Sequence, residues 1–209
     1  MKERPILFSA PMVRAILDGS KTQTRRIIKP QPHAGVRRSP FVGSGIEDGH
    51  GRELRSAYGQ TGDRLWVRET FCPVDDRENG GELWCDYRAT PRYEASHPAG
   101  WENEPDDPMA LKWKPSIHMP RWVSRINLEI TGVRVERLQD INGADAKAEG
   151  IQPDEVRQMW LFGASADERA ATYRRAAVRP YQALWEDING AGSWEANPWV
   201  WVVEFRRVV

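Results

Sequence analysis

The chain has 209 residues, a length that favours one domain built around one hydrophobic core. Its 30 Lys and Arg residues balance its 30 Asp and Glu residues, so the overall charge cannot steer the protein towards a polyanion. Two cysteines are too few for a disulfide framework, and no paired Cys or His spacing predicts a zinc site. No apolar run is typical of a signal peptide or a membrane span. We therefore expect a cytoplasmic protein that makes no membrane contact and uses no metal or other cofactor.

The chain begins with a predicted strand and a predicted helix. Residues 6–8 are apolar enough for a short strand, and Pro11 is suited to the first turn of the helix that follows. Gly19 is placed to end this helix at its C-terminal cap.

The segment after this helix, residues 19–26, concentrates a Lys, two Arg and several hydroxyl side chains. Such a cluster suits the binding of phosphate or the polarisation of a carbonyl group. A strand is predicted for residues 22–28, and its period of two defines one face. That face carries Thr22, Thr24 and Arg26. Lys21 is out of phase with it and joins it only if the turn after Gly19 redirects the chain.

Two long segments are predicted to be loops. Residues 30–62 are rich in Pro, Gly, Ser and charged side chains, and residues 90–120 contain several prolines and no hydrophobic periodicity. Between them, alternating hydropathy predicts strands at residues 64–71 and 82–89.

Two further strands are predicted in the C-terminal half. Residues 126–135 alternate in hydropathy except at Gly132, which predicts one strand with a bulge or two tightly joined strands. The last strand, at residues 199–205, is rich in aromatic side chains. One of its faces carries Trp199, Trp201, Val203 and Phe205.

Helices are predicted between these two strands. Asn142 is suited to cap a short helix that has Glu149 at its end, where the helix dipole disfavours an acid. Residues 154–188 are mainly helical, with breaks between residues 162 and 165 and at Pro180. Together the elements predict an α+β fold, in which a small mixed β-barrel or strongly curved sheet carries helices at its rim.

Three segments carry a resemblance to a known family. Residues 19–26 resemble the G-x-K-x-x-x-R motif of ASCH domains, which belong to the PUA-like superfamily of β-barrels. Residues 62–67 are similar to the family's strand with a Gly-Asp pair, and residues 145–150 to the helix that follows. Further segments resemble the longer ASCH proteins of phages and prophages, namely residues 117–122, 134–138 and 197–201.

The resemblance covers nearly the whole chain. It implies a single ASCH domain with a PUA-like barrel over residues 1–209, carrying insertions around residues 30–60, 90–120 and 154–180.

The resemblance also implies a ligand, either a modified cytidine nucleoside or RNA. Some compact bacterial members have Lys, Thr and Glu at the positions matched by Lys21, Thr24 and Glu149, and they act as amidohydrolases on N4-acetylcytidine. In that chemistry Thr24 is the nucleophile, Lys21 its activator or an oxyanion partner, and Glu149 the general acid/base. If Lys21 is a base, its pKa must fall well below about 10.4 through burial or through neighbours such as Arg25 and Arg26.

Other residues are candidates for contacts with the substrate. They are Thr22, Arg25, Arg26, Arg68 and Glu69. Arg68 and Glu69 lie on opposite faces of their predicted strand, and we expect Glu69 to face the cleft. A structural interpretation competes with the catalytic one. In it Lys21 and Arg26 pair with Asp63 or Glu69, Thr24 is an ordinary strand residue and Glu149 is solvated.

Two classes of function therefore remain open. The first is an amidohydrolase acting on N4-acylated cytidine. The second is a non-catalytic reader of RNA or modified nucleic acid, which uses the basic residues of segment 14–38 for phosphates and Trp101 or Trp113 for stacking. A closed pocket sized for one nucleoside, in which Lys21, Thr24 and Glu149 converge, favours the enzyme. An open basic groove that continues past Arg37 and Arg38 favours the reader. A ribonuclease is a third and weaker possibility, because no His pair or metal-carboxylate cluster stands out.

Overall fold

The computed structural model describes residues 1–75, 83–91, 112–151 and 166–208. These residues form an α+β fold, as the sequence predicts, with nine strands and three α-helices. The strands are β1 (Glu3–Leu7), β2 (Gln23–Ile27), β3 (Val36–Arg38), β4 (Ile46–Asp48), β5 (Arg64–Arg68), β6 (Phe71–Asp75), β7 (Leu83–Tyr87), β8 (Asn127–Arg137) and β9 (Trp199–Val208). The helices are α1 (Ala10–Leu17), α2 (Gly143–Ala148) and α3 (Ala166–Asn189).

Five strands form the main sheet, in the order β1-β5-β8-β9-β2. Strand β1 is parallel to β5, and the other neighbours are antiparallel. The two edge strands approach each other at one end. There the Arg26 guanidinium of β2 donates a hydrogen bond to the Leu7 carbonyl of β1 at 2.6 Å. The main sheet is therefore strongly curved.

Strand β9 separates two hydrophobic cores. Its side chains alternate, as predicted, so that Trp201, Val203 and Phe205 lie in a core that includes α1 and β5. Trp199 is partly buried against the same core. Val200 and Val202 point the other way and pack with side chains of α2 and α3. Burial of a large apolar side chain stabilises the fold by about 1.5–3 kcal/mol. The side chains of β9 therefore anchor α1 to one face of the sheet and α2 and α3 to the other.

Strand β8 is one continuous strand with a bulge, which confirms the first of the two alternatives. Its register against β9 shifts between Ile130 and Gly132. A Cβ atom on Gly132 would lie 2.7 Å from the carboxylate of Glu204, so only glycine fits at the bulge without a shift of that side chain.

The predicted loop at residues 30–62 is wrong over part of its length, because β3 and β4 form a hairpin there. Neither three-residue strand has the alternating hydropathy by which strands are predicted. Opposite charges face each other instead, and Arg37 Nε donates to Glu47 Oε1 at 2.7 Å. The predicted strand at residues 64–71 is also divided, since β5 ends at Arg68 and β6 begins at Phe71 and pairs with β7.

The break predicted at Pro180 is also wrong, because Pro180 lies inside α3. A proline in a helix interior costs about 3 kcal/mol. Burial of the next aromatic residues, Tyr181 and Trp185, against Trp194 offsets that cost. Most of the predicted loop at residues 90–120, and the helix break between residues 162 and 165, lie outside the described residues. No helix within the described ranges is both long and apolar enough to cross a membrane.

Helix α2 ends where three parts of the chain meet. Asn142 caps its start as predicted, accepting hydrogen bonds from the Ala144 and Asp145 backbone amides. Gly150 follows its end with a φ of 89°, and a Cβ atom there would lie 3.0 Å from Ala15 Cβ and 3.2 Å from Lys21 Cβ. The chain can turn this tightly against α1 and the start of β2 only with glycine at this position.

We expect Gly150→Ala to lower the free energy of unfolding by about 2–3 kcal/mol, because it adds crowding to the strain of a positive φ. Gly190→Ala is the matched control, since Gly190 has a similar φ of 94° and open space around its Cβ position. The control should lose only about 1 kcal/mol. Urea denaturation measures both, and equal losses would contradict the close approach at Gly150.

Candidate active site

Lys21 is held at the junction of α1, α2 and β2. Its backbone amide donates to the Ala15 carbonyl at 2.8 Å, and it forms an isolated β-bridge with Glu149. Its side chain is buried, and Nζ donates to Glu149 Oε2 and to the Glu149 carbonyl, both at 2.8 Å. The turn after Gly19 thus joins two residues that lie 128 positions apart in the chain.

Burial lowers the pKa of Lys21, because the site penalises the charged ammonium group. The negative charge of Glu149 acts in the opposite direction, while the positive charges of Arg26 and Arg25 add to the lowering. Burial and the neighbouring cations, the two alternative causes named in the catalytic hypothesis, therefore both act to lower this pKa.

Lys21 and Arg26 reach the same aromatic ring. Lys21 Nζ lies 5.7 Å from the centroid of Phe8, and the Arg26 guanidinium carbon lies 5.3 Å from it. The turn after Gly19 has therefore redirected Lys21 towards the face of β2 that carries Arg26, although the two residues are out of phase in sequence.

Arg25 is buried among carboxylates rather than open to a substrate. Its Nη2 atom lies 3.1 Å from Glu136 Oε2 and 3.2 Å from Asp145 Oδ2, and its Nη1 atom lies 3.4 Å from Glu149 Oε1. Arg134 also contacts Asp145, at 3.2 Å. This cluster fixes the carboxylate of Glu149 from the side opposite Lys21. Sequence analysis did not assign Glu136, Asp145 or Arg134 to the site.

A small cavity of about 60 Å³ lies beside this cluster. Residues of β2, the end of α2 and the C-terminal half of α3 line it, among them Thr24, Arg25, Arg26, Glu149, Tyr181 and Trp185. Lys21 is not part of the lining and reaches the cavity only through Glu149. Burial, together with the charge of Glu149, raises the pKa of Tyr181, so this phenol stays protonated.

The lining of this cavity is rich in unused hydrogen-bond donors. Arg25 Nε, Arg26 Nε and Trp185 Nε1 are buried, and none has a hydrogen-bond partner within the described part of the chain. A buried donor without a partner costs about 1–3 kcal/mol. An oxygen acceptor that comes within reach of one of these N–H groups is therefore favoured.

These contacts contradict two parts of the competing structural interpretation, the predicted ion pairs and the solvated Glu149, and leave the role of Thr24 as an ordinary strand residue untested. Lys21 pairs with Glu149 and not with Asp63 or Glu69, and Glu149 is only 4% exposed. Asp63 accepts a hydrogen bond from the Lys2 backbone amide instead, at 2.8 Å.

Three predicted contact residues lie away from the small cavity. Thr22 is exposed, and its backbone amide donates to the Ala148 carbonyl. Arg68 donates to the Ile117 carbonyl. Glu69 is buried in a two-pronged contact with Arg125, at 2.9 and 3.0 Å. The structure thus brings together Lys21, Thr24, Arg25, Arg26 and Glu149.

Of the two tryptophans proposed for base stacking, only Trp113 is among the described residues. Trp113 is half-buried, and the Arg88 guanidinium carbon lies 5.3 Å from its ring centroid. Trp101 lies outside the described residues. Across those same residues, no three His, Cys, Asp or Glu side chains are grouped so that they could hold a metal ion.

Comparison of the chain with protein-family models, with curated proteins and with solved structures finds no match.

We expect Lys21→Met to lower the free energy of unfolding by about 3 kcal/mol, because it removes the cation closest to a buried carboxylate. Adding Glu149→Gln should restore part of this loss, since the neutral amide needs no cation. Chemical denaturation of the single and double variants measures the coupling. Lys147→Met, at an exposed position of α2, should change stability by less than about 0.5 kcal/mol. A loss below about 1 kcal/mol for Lys21→Met would contradict the pairing.

Proposed function

We propose that the chain is an ASCH-type protein of the PUA-like superfamily and that it hydrolyses the amide of an N4-acylated cytidine. One observation carries the proposal. Thr24 and Glu149 line the same small cavity, and the buried amine of Lys21 holds the carboxylate of Glu149. These are the three positions at which the sequence resembles the amidohydrolases of that family.

The curvature of the main sheet supports the family assignment. A PUA-like fold is a small barrel, and in this chain the Arg26 side chain joins the two edge strands of a five-stranded sheet. Helix α1 lies between β1 and β2 in the chain, and the Gly19 turn follows it, as the position of the motif requires.

The proposed reaction begins with attack of the Thr24 hydroxyl on the acyl carbonyl. The proton of the hydroxyl passes to Glu149, which then gives it to the N4 nitrogen as the C–N bond breaks. Cytidine leaves, and water hydrolyses the ester on Thr24 to release the carboxylic acid and restore the hydroxyl. Lys21 acts through Glu149, because its Nζ atom orients the carboxylate and does not line the cavity.

Amide hydrolysis also requires hydrogen-bond donors that stabilise the oxyanion, and the N–H groups without a partner among the described residues can supply them. Negative charge develops on the carbonyl oxygen during the attack, and N–H groups that are already in place stabilise it. Arg26 and Trp185 line the cavity, and each has a buried N–H group without a partner in the described part of the chain. They are the groups that we assign to this oxyanion.

The size of the cavity favours a small acyl group. Sites that enclose whole small molecules measure about 300–1,000 Å³. A cavity of about 60 Å³ admits an acetyl group or one of similar size, so the nucleoside must lie outside it.

We expect Thr24→Ala to lower kcat/KM for N4-acetylcytidine by at least about a hundredfold, because it removes the nucleophile. Thr24→Ser keeps a hydroxyl at the same position and should retain activity to within about tenfold. Chromatographic detection of cytidine measures both variants, and Glu149→Gln should resemble Thr24→Ala. Equal activity of Thr24→Ala and wild type would remove Thr24 from the mechanism.

The same assay separates the enzyme from the reader of nucleic acid. No turnover by wild type at high enzyme concentration, across a panel of acylated cytidines, would contradict the amidohydrolase. Salt-dependent binding of single-stranded RNA that Thr24→Ala leaves intact would then support a binding protein.

A further inference from the structure

A larger cavity adjoins the small one. Its volume is about 530 Å³, and the two cavities share Arg26, Ile27 and Asn189. Its other walls come from the residues that follow β2 and from residues 52–58, which follow the β3–β4 hairpin. These shared residues place the two cavities side by side, so a substrate with its acyl group in the small cavity can extend past Arg26 towards the larger one. This volume lies in the range that encloses a small-molecule ligand.

The lining of the larger cavity carries an excess of positive charge. Its charged residues are Arg26, Lys29, Arg52, Glu53 and Arg55, four cations and one acid. Neutral nucleosides give no reason for such an excess, whereas the phosphate group of a nucleotide does.

Two of the four cations are already paired with acids. Arg55 contacts Glu53 at 2.6 Å, and Arg52 contacts Asp48 at 3.2 Å. Arg26 and Lys29 have no acidic partner within the described residues. Lys29 is also exposed, so its ammonium group can reach a ligand without first breaking an ion pair.

The remaining walls of the larger cavity suit the rest of a nucleotide. Leu54, Tyr58 and Trp201 supply aliphatic and aromatic surface on the same lining as the cations. Apolar surface beside a few charged groups is the usual composition of a site for a cofactor or nucleotide. The cavity thus offers separate surfaces to a base or sugar and to a phosphate.

We propose that the larger cavity binds a phosphate group of the substrate through Lys29 and its neighbouring cations, so that the protein prefers a phosphorylated cytidine to the free nucleoside. The identity of the base rests on the proposed function, whereas the preference for phosphate rests on the charges of this cavity. The phosphate can belong to a mononucleotide or to an RNA strand, and the test separates these sources.

Binding without turnover tests the phosphate site directly. Isothermal titration calorimetry compares cytidine 5′-monophosphate with cytidine at one fixed salt concentration. Wild type should bind the monophosphate at least about tenfold more tightly. Lys29→Ala should remove most of this preference, and Lys29→Arg should retain it. Lys147→Ala, which changes an exposed cation of α2 outside both cavities, should behave as wild type.

Equal binding of the two probes by wild type would overturn the proposal, as would an unchanged preference in Lys29→Ala. A short RNA that binds more tightly than the monophosphate would assign the phosphate to a polymer. The reverse order would assign it to a mononucleotide. Either order supports a phosphate site.

Turnover distinguishes failure of this proposal from failure of the proposed function. Equal kcat/KM for N4-acetylcytidine and its 5′-monophosphate would overturn the phosphate site and keep the hydrolase. If neither compound is hydrolysed while the Lys29-dependent preference for cytidine 5′-monophosphate persists, the hydrolase fails and the phosphate site is supported.

Discussion

The buried contact between Lys21 and Glu149 is the interaction on which the site depends. It joins the start of β2 to the end of α2, and it removes two opposite charges from water. Desolvation of such a pair costs several kcal/mol for each ion unless further hydrogen bonds compensate. Here Lys21 also donates to the Glu149 carbonyl, and Arg25 approaches the second carboxylate oxygen. The contact is sustained only because both ions have more than one partner.

Arg25, which approaches Glu149, is itself paired with acids from two other elements. Glu136 comes from β8 and Asp145 from α2, so one guanidinium group ties three elements together. Arg134 links the same acids to Glu204 of β9, next to the bulge at Gly132. We infer that the bulge serves the site, because it sets the register that brings β9 to Arg134.

Local signals in the sequence predicted much of the fold. The cap at Asn142, the bulge at Gly132 and the alternating faces of β9 each depend on residues that are close in the chain, and all three are confirmed. The β3–β4 hairpin was missed because its strands pair by charge and not by an apolar pattern. Pro180 was misread because propensity gives no information about the burial that keeps α3 continuous.

The candidate site could be predicted only in part, and for a different reason. The segment around Lys21 stands out by composition, but nothing in the spacing of the chain identifies Glu149 as its partner. Only the resemblance to a family linked the two residues. The acids that bind Arg25, and the way in which α3 closes the small cavity with Tyr181, depend on tertiary contacts between distant segments. Such contacts have no local signature.

Arg26 lies between the small cavity and the larger one. Its Nη2 atom donates to the Leu7 carbonyl of β1, and its side chain lines both cavities. The small cavity is built from β2, α2 and α3, whereas residues 52–58 wall only the larger one. In the function that we propose, the small cavity therefore carries the chemistry and the larger cavity carries the selectivity. Changes in residues 52–58 can alter which molecule is bound while the contacts among Lys21, Thr24 and Glu149 stay the same.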